Sequence, residues 1–443
     1  MYKKTWILIL TVLVIRILMS SNSWGFEYKR VVLANGLTII HYEIKELPLI
    51  RAELLIEASP LDEPSSLAGL ANLTSLMLAE GTKTRTSEQI SQETEFMAAD
   101  IGASTSDDYT TVTLFTLKKD FKHGFEIFSD IIQNPIFPAK EFLRNKEILL
   151  DSLKQQEESP SFLAMRAFRK ELFLDHPYGR FATGDINTIP NIKQSDLEHF
   201  HSVFYIPKGA ILTVVGDISF EDTLKLAEQY LSNWKNNDHI QPKMGESTGR
   251  TIKKIITIDK PLTQATIIIG GIGIKRSNPD YYKLSVMNYI LGGGGFRSRL
   301  MQNIRNKRGY AYDVHSYFKT NKYGGYFSIN VKTKNELSDK VIAEVLNEVK
   351  NIMNSNVTED ELSDAKAFLT GSFPLRLDTI SEMASFFTMA EFYGLGMSYD
   401  KDFINYINNV TTADVKDVAS RYLDDKNYVL VIVGDMKKVN TEK

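Results

Sequence analysis

Strand-like and helix-like stretches follow one another twice along this chain. Residues 29–40 and 49–57 read as strands, with Asn35-Gly36 marking a tight hairpin turn. Residues 110–118 alternate apolar and polar side chains, as a half-buried strand does. Helices are expected at 67–78, 86–99, 121–132 and 140–156, the second opened by Thr86 and Gln89 as a capping box. From residue 253 the scheme begins again, with strands at 253–258 and 264–274, a helix at 281–291, a strand at 326–333, and helices at 337–354 and 359–371. Helix pairs alternating with antiparallel strands predict an α+β fold.

The repetition is literal near the end of each half. Shifted by 218 residues, 186–217 superposes on 404–435 without a gap, and 11 of the 32 pairs are identical. They include Ile186/Ile404, Asn187/Asn405, Asp196/Asp414 and the Val-Gly-Asp that closes each copy, where chance would give about two. Each copy has a polar start, an amphipathic helix and a β-rich run, with strands at 211–215 and 428–433. Residues 236–250 (NNDHIQPKMGESTGR) are polar and turn-rich and read as a linker between domains at 26–235 and 251–443.

Residues 69–82 read GLANLTSLMLAEGT. The string resembles the zinc-binding helix of the pitrilysin/insulinase-type peptidases, the inverzincins, which carry H-x-x-E-H in the same places. Positions i, i+3 and i+4 share one helix face, so two imidazoles and a carboxylate can converge there on a metal and its water. Here the places hold Asn72, Ser75 and Leu76. Leu76 cannot bind zinc, Asn72 offers only a weakly basic amide oxygen, and Ser75 cannot act as the general base. The remaining family ligand is a Glu roughly 76 residues past the second His. Ser152 holds that place here, with Asp151 beside it, and one carboxylate does not make a zinc site. The resemblance covers nearly all of 26–435 and implies two duplicated antiparallel-rich domains forming half of a clamshell chamber, facing each other with the linker as hinge.

Residues 305–312 (RNKRGYAY) resemble the segment in which that family places an Arg and a Tyr seven residues apart, and Arg305 and Tyr312 match the spacing. The resemblance implies that both reach toward a zinc site, holding the substrate peptide and the developing oxyanion; a guanidinium and a phenol can each donate to a peptide carbonyl. Read from the residues alone, Arg305 is a solvated helix end and Tyr312 belongs to a strand. The glycine run at 292–295 lacks the Lys-Ser/Thr of a phosphate loop and reads as a close-packed turn. The seven histidines (His41, His123, His176, His199, His201, His239, His315) include no pair at i, i+3 or i+4, and His199 and His201 point apart on a helix. His176-Pro177-Tyr178-Gly179 resembles a structural turn of the family. Gly-x-Ser-x-Gly is absent.

Composition adds bounds. At 443 residues, 43% hydrophobic and 24% charged, the chain is ordinary globular material for two domains. A net charge of −3 argues against nucleic acid. The absence of cysteine excludes disulfides and thiolate chemistry. Lys3 and Lys4, an apolar run at 6–15 and small residues at Ser23 and Gly25 form an export-signal pattern over 1–25, cleaved before Phe26, with an uncleaved membrane anchor as the alternative. The expectation is an exported, periplasmic, metal-free chain that acts as the non-catalytic half of a heterodimeric zinc peptidase. An H-x-x-E-H sister subunit would supply the zinc, and this chain would bind extended peptides and lend Arg305 and Tyr312. The rival is a non-proteolytic peptide-binding or assembly scaffold without a peptidase partner, which recovery as a homodimer or with unrelated proteins would favour.

Overall fold

The computed structural model describes residues 28–237, 245–247 and 252–439. The expected export signal and most of the expected linker lie outside the described residues. Among the described residues the strands are β1 (Lys29–Val32), β2 (Thr38–Glu43), β3 (Leu49–Ile56), β4 (Asp100–Thr105), β5 (Thr110–Leu117), β6 (Ile211–Gly216), β7 (Lys254–Asp259), β8 (Gln264–Ile272), β9 (Ala311–Thr320), β10 (Gly325–Lys334) and β11 (Val429–Gly434).

They form two sheets, ordered β1-β2-β6-β3-β5-β4 and β7-β11-β8-β10-β9. Leaving β1 aside, the two orders are the same, and each sheet has one parallel pair, β2 with β6 and β7 with β11, among antiparallel neighbours. The shift of 218 residues carries β6 onto β11 and the helix Gln194–Phe204 onto Thr412–Tyr422, end to end. In both copies the repeated Asp reaches back to the backbone N–H that opens the helix: Asp196 accepts from Lys193 N at 2.8 Å and Asp414 from Thr411 N at 2.9 Å. Only in the second copy does the N-cap side chain return the bond, Thr411 accepting from Asp414 N at 3.1 Å to complete a capping box.

One face of each sheet is covered by helices of its own half, giving two large apolar cores. The other face is covered by a helix from the opposite half. The helix Pro160–Phe173 lies on β8 and β11, and Leu163, Phe168, Leu172 and Phe173 pack with Ile268, Val429, Val431 and Val433. In return the helix Ile380–Phe392 lies on β3 and β6, and Ala384, Phe387 and Phe392 pack with Ile40, Leu55, Ile211 and Val215. This exchange explains why β6 (ILTVVG) and β11 (VLVIVG) are buried at every position: a strand covered on both faces has no polar side to alternate.

Polar groups lock the exchange. Arg30 makes a two-pronged contact with Glu391 at 3.0 and 2.8 Å, Thr388 donates to Thr213 at 2.7 Å, and Ser385 donates to the buried Glu53 at 2.8 Å. At the second junction Tyr178, in the turn singled out from the sequence, is buried and donates its hydroxyl to Asp108. The other oxygen of Asp108 accepts from Lys322 N at 2.9 Å, and Tyr323 N donates back to the Tyr178 hydroxyl at 3.1 Å. Swinging the described halves apart would uncover two apolar clusters and break these contacts; among the described residues the halves form one interlocked body.

Phe168→Ala removes a fully buried ring from this junction and is expected to lower stability by about 3–5 kcal/mol. A chain cut within 238–244 should yield two fragments that show a cooperative unfolding transition by circular dichroism only when produced together.

Candidate functional site

The motif helix begins at Leu70 and ends at Leu76, shorter than the expected 67–78, because Gly69 before it turns left-handed at φ +99°. A side chain there would be strained by the φ alone, and a Cβ on Gly69 would also crowd the backbone at Gly184 Cα, 3.0 Å, and Thr183 O, 3.1 Å. The first turn is clamped by Glu63, whose two carboxylate oxygens accept from Gly69 N and Ala71 N, each at 2.9 Å. Burial pushes the Glu63 carboxyl up to about 7, against the pull of the Ala71 and Gly69 amides and the Arg180 guanidinium.

The long helix Ala139–Gln156 packs against this one, as the zinc frame requires. Glu80, just past the motif helix, accepts from Arg144 at 2.7 Å, Asn145 at 2.9 Å and Ser87 at 2.9 Å. The two helices are therefore held in place by side chains that have nothing to do with a metal. Asn72 is half-buried. Ser75 is buried and spends its hydroxyl on Asn72 O at 2.8 Å, and Leu76 faces outward, 41% exposed. Ser152 is exposed and accepts from Gln156 at 3.2 Å; Asp151, also exposed, pairs with Lys154 at 2.8 Å. An alkyl group, an amide and two hydroxyls do not fit a zinc ion, and no step of hydrolysis can be derived through one here.

The described histidines are scattered. His41 bonds Ile218 O at 2.9 Å, His201 bonds Ile132 O at 2.8 Å, His123 meets Glu93 at 2.9 Å and His315 meets Asp313 at 3.2 Å; His239 lies outside the described residues. Among the described residues no three His, Cys, Asp or Glu side chains gather where they could hold a metal.

Arg305 and Tyr312 lie in the second half. Arg305 is exposed near the end of the π-helical turn Met301–Lys307, its guanidinium 4.9 Å from the centre of the exposed Phe296 ring. Tyr312 is 53% exposed on β9, at the edge of the second sheet. The β9–β10 register steps from Asp313↔Lys332 to Ala311↔Thr333, so Tyr312 is the extra residue of a β-bulge, the device that re-aims a side chain at a sheet edge. The glycine run is a close-packed turn, since a Cβ on Gly292 would meet Ser316 N at 2.5 Å. Sequence reasoning missed Glu63: six residues ahead of Gly69, it carries no local signature of a cap.

Fold and site together define a peptidase-type scaffold whose metal helix is intact in shape and stripped of ligands. Residues 48–182 match the family model described as insulinase (peptidase family M16), and 191–369 match the model described as the peptidase M16 inactive domain. The chain belongs to the M16 family and is an inactive M16-type peptidase homologue. A crystal structure of a peptidase M16 inactive domain from Pseudomonas fluorescens is similar at a TM-score of 0.87 and 29% identity, covering 94% of this chain and 100% of that one. A Helicobacter pylori protein named non-peptidase homolog YmxG is 28% identical, over 90% of this chain and 92% of its own. A Rickettsia bellii protein named as an uncharacterized zinc protease is 26% identical over 88% and 93%.

Protonation of Glu63 gives a signed expectation. Its folded pKa stands above the ordinary 4.5, so its contribution to stability is fully present below that value and is lost as pH rises through about 7. Measured by urea midpoint against Glu63→Gln, the natural chain should lose relative stability between pH 4.5 and 7.5. Glu63→Ala, which leaves two buried N–H groups without an acceptor, should cost about 1–3 kcal/mol near pH 4.5, where the contribution of Glu63 is complete, and less as pH rises through about 7.

Proposed function

We propose that this chain is the exported, non-catalytic partner subunit of a heterodimeric zinc peptidase, binding extended peptides and lending Arg305 and Tyr312 to the active site of an H-x-x-E-H sister. The observation that carries the reading is an asymmetry. Asn72, Ser75, Leu76 and Ser152 supply no metal shell, while the side chains of Arg305 and Tyr312 stand exposed, without a hydrogen bond or ion pair among the described residues. A cation resting on an aromatic ring and a phenol aimed outward by a bulge are donors kept ready for a carbonyl that another molecule presents.

Peptide binding has a platform in β4, the outer strand of the first sheet, which pairs with β5 on one side only. An extended peptide can add to that edge through main-chain hydrogen bonds. The motif helix lies beside β4: Thr105 Oγ1 donates to Ala71 O at 3.4 Å. The interlocking of the two halves supports placing the second wall of a chamber on another polypeptide.

The name of the Helicobacter pylori relative, a non-peptidase homolog, favours the second reading, a peptide-binding or assembly scaffold without a peptidase partner. Recovery of the tagged chain from its native cells distinguishes the two: an H-x-x-E-H chain of similar length in the eluate supports the partner role, and a homodimer supports the scaffold.

Purified alone, the chain should hold no stoichiometric zinc by elemental analysis and cut no peptide; mixed with its sister it should give chelator-sensitive cleavage. Arg305→Ala in the mixed complex should lower kcat/KM by about a hundredfold, the scale for removing one oxyanion donor. Unchanged turnover would remove the lending role.

A further inference from the structure

The visiting helix Ile380–Phe392 packs chiefly on β3 and β6. Beyond it the same face of the first sheet opens into a cleft of about 430 Å³. Its floor follows the register: Glu53, Thr113 and Gly102 stand in one row across β3, β5 and β4, and Arg51, Phe115 and Asp100 in the next. Ser385 and Met389 of the visiting helix form the wall, and hydroxyl groups of Ser104, Thr111 and Thr113 line the floor.

Arg51 is the anomaly in this cleft. Its side chain is 15% exposed, and its Nε is enclosed with no hydrogen-bond partner. Its ion-pair contact among the described residues is Nη2 to Glu53 Oε2 at 4.0 Å, too long for a hydrogen bond. Glu53 is engaged elsewhere, accepting from Ser385 at 2.8 Å, and burial raises its pKa, which makes it a poor counter-ion. Asp100, exposed at the rim, is the other carboxylate acting on the guanidinium. A guanidinium carries five donors in a planar fork, and leaving such donors enclosed and unmade is costly. The fork matches the two oxygens of a carboxylate.

Access is open from the sheet edge. Gly102 carries no side chain over the floor, and a Cβ built there meets only Thr113 Oγ1, at 3.9 Å. A residue paired against Gly102 on an added strand would extend the Gly102–Thr113–Glu53 row, with Arg51 in the neighbouring row on the same face.

The geometry points to Arg51 as the recognition residue for a carboxylate carried by an extended peptide seated against β4, supplied by an acidic side chain or by the peptide's C-terminus. This assignment rests on the peptide-binding part of the proposed function and adds the chemical class of the preferred peptide. Asp100 at the rim disfavours a second negative charge beside the first, so single carboxylates flanked by neutral residues suit the cleft best.

Fluorescence anisotropy on the full-length chain, alone and with its sister, tests it with three labelled peptides of one length. The first has one internal Glu and an amidated end, the second Gln and a free end, the third Gln and an amidated end. The expected result is that the first or the second binds about ten- to a hundredfold more tightly than the third, which also identifies the source of the carboxylate. That preference should vanish in Arg51→Gln, and in Gly102→Val, which fills the cleft without touching Arg51 and keeps a residue at home in a strand. Equal binding of all three peptides, or a preference that survives in both folded variants, overturns the carboxylate assignment and leaves peptide binding standing. No binding of any of the three overturns both.

Discussion

The reciprocal exchange of one helix between the two halves is the constraint on which the rest of this structure depends. Each sheet presents an apolar face that its own half leaves bare, and the opposite half supplies the cover: Phe168 and Phe173 for one sheet, Phe387 and Phe392 for the other. Neither half can bury its central strand alone. Exposing β6 or β11 on one face would return a row of Ile, Leu and Val to water, at roughly 25 cal/mol for each Å². The Arg30–Glu391 fork and the Tyr178–Asp108–Lys322 chain then fix the register of two halves whose contact would otherwise be only greasy. Duplication and interlocking are one device, because the same helix in each copy makes the exchange.

That architecture explains how a metal site could be emptied without harm to the fold. The motif helix is held from its first turn by Glu63, from below by the close approach of Gly184 to Gly69, and at its far end by Glu80 gripping Arg144 and Asn145. None of these contacts passes through positions 72, 75, 76 or 152. The metal frame is therefore carried by its surroundings rather than by its ligands, and the ligand positions were free to become Asn, Ser, Leu and Ser.

The candidate site was partly legible in the sequence. The replaced letters at 72, 75 and 76 and the spacing of Arg305 and Tyr312 could be read directly, since i, i+3 and i+4 geometry is local. The bulge that turns Tyr312 outward could not, because it exists only in the pairing of β9 with β10. Nor could Arg51 be singled out: in the sequence it is one charged residue in a strand, and only the fold shows its Nε enclosed without a hydrogen bond and Glu53, 4.0 Å away, accepting from Ser385 instead.

By itself the sequence determined the α+β class, the duplication at a shift of 218 residues, and the replacement of the zinc-ligand letters at the motif helix by Asn, Ser and Leu. These follow from periodicity, self-similarity and ligand chemistry, all carried by residues near one another in the chain. The tertiary structure alone decided which helix covers which sheet, which carboxylate clamps the motif helix and where a guanidinium is left with unused donors. Those outcomes rest on contacts such as Arg30 with Glu391 and Glu53 with Ser385, between residues more than three hundred positions apart, and no local pattern records which distant partner a side chain will meet.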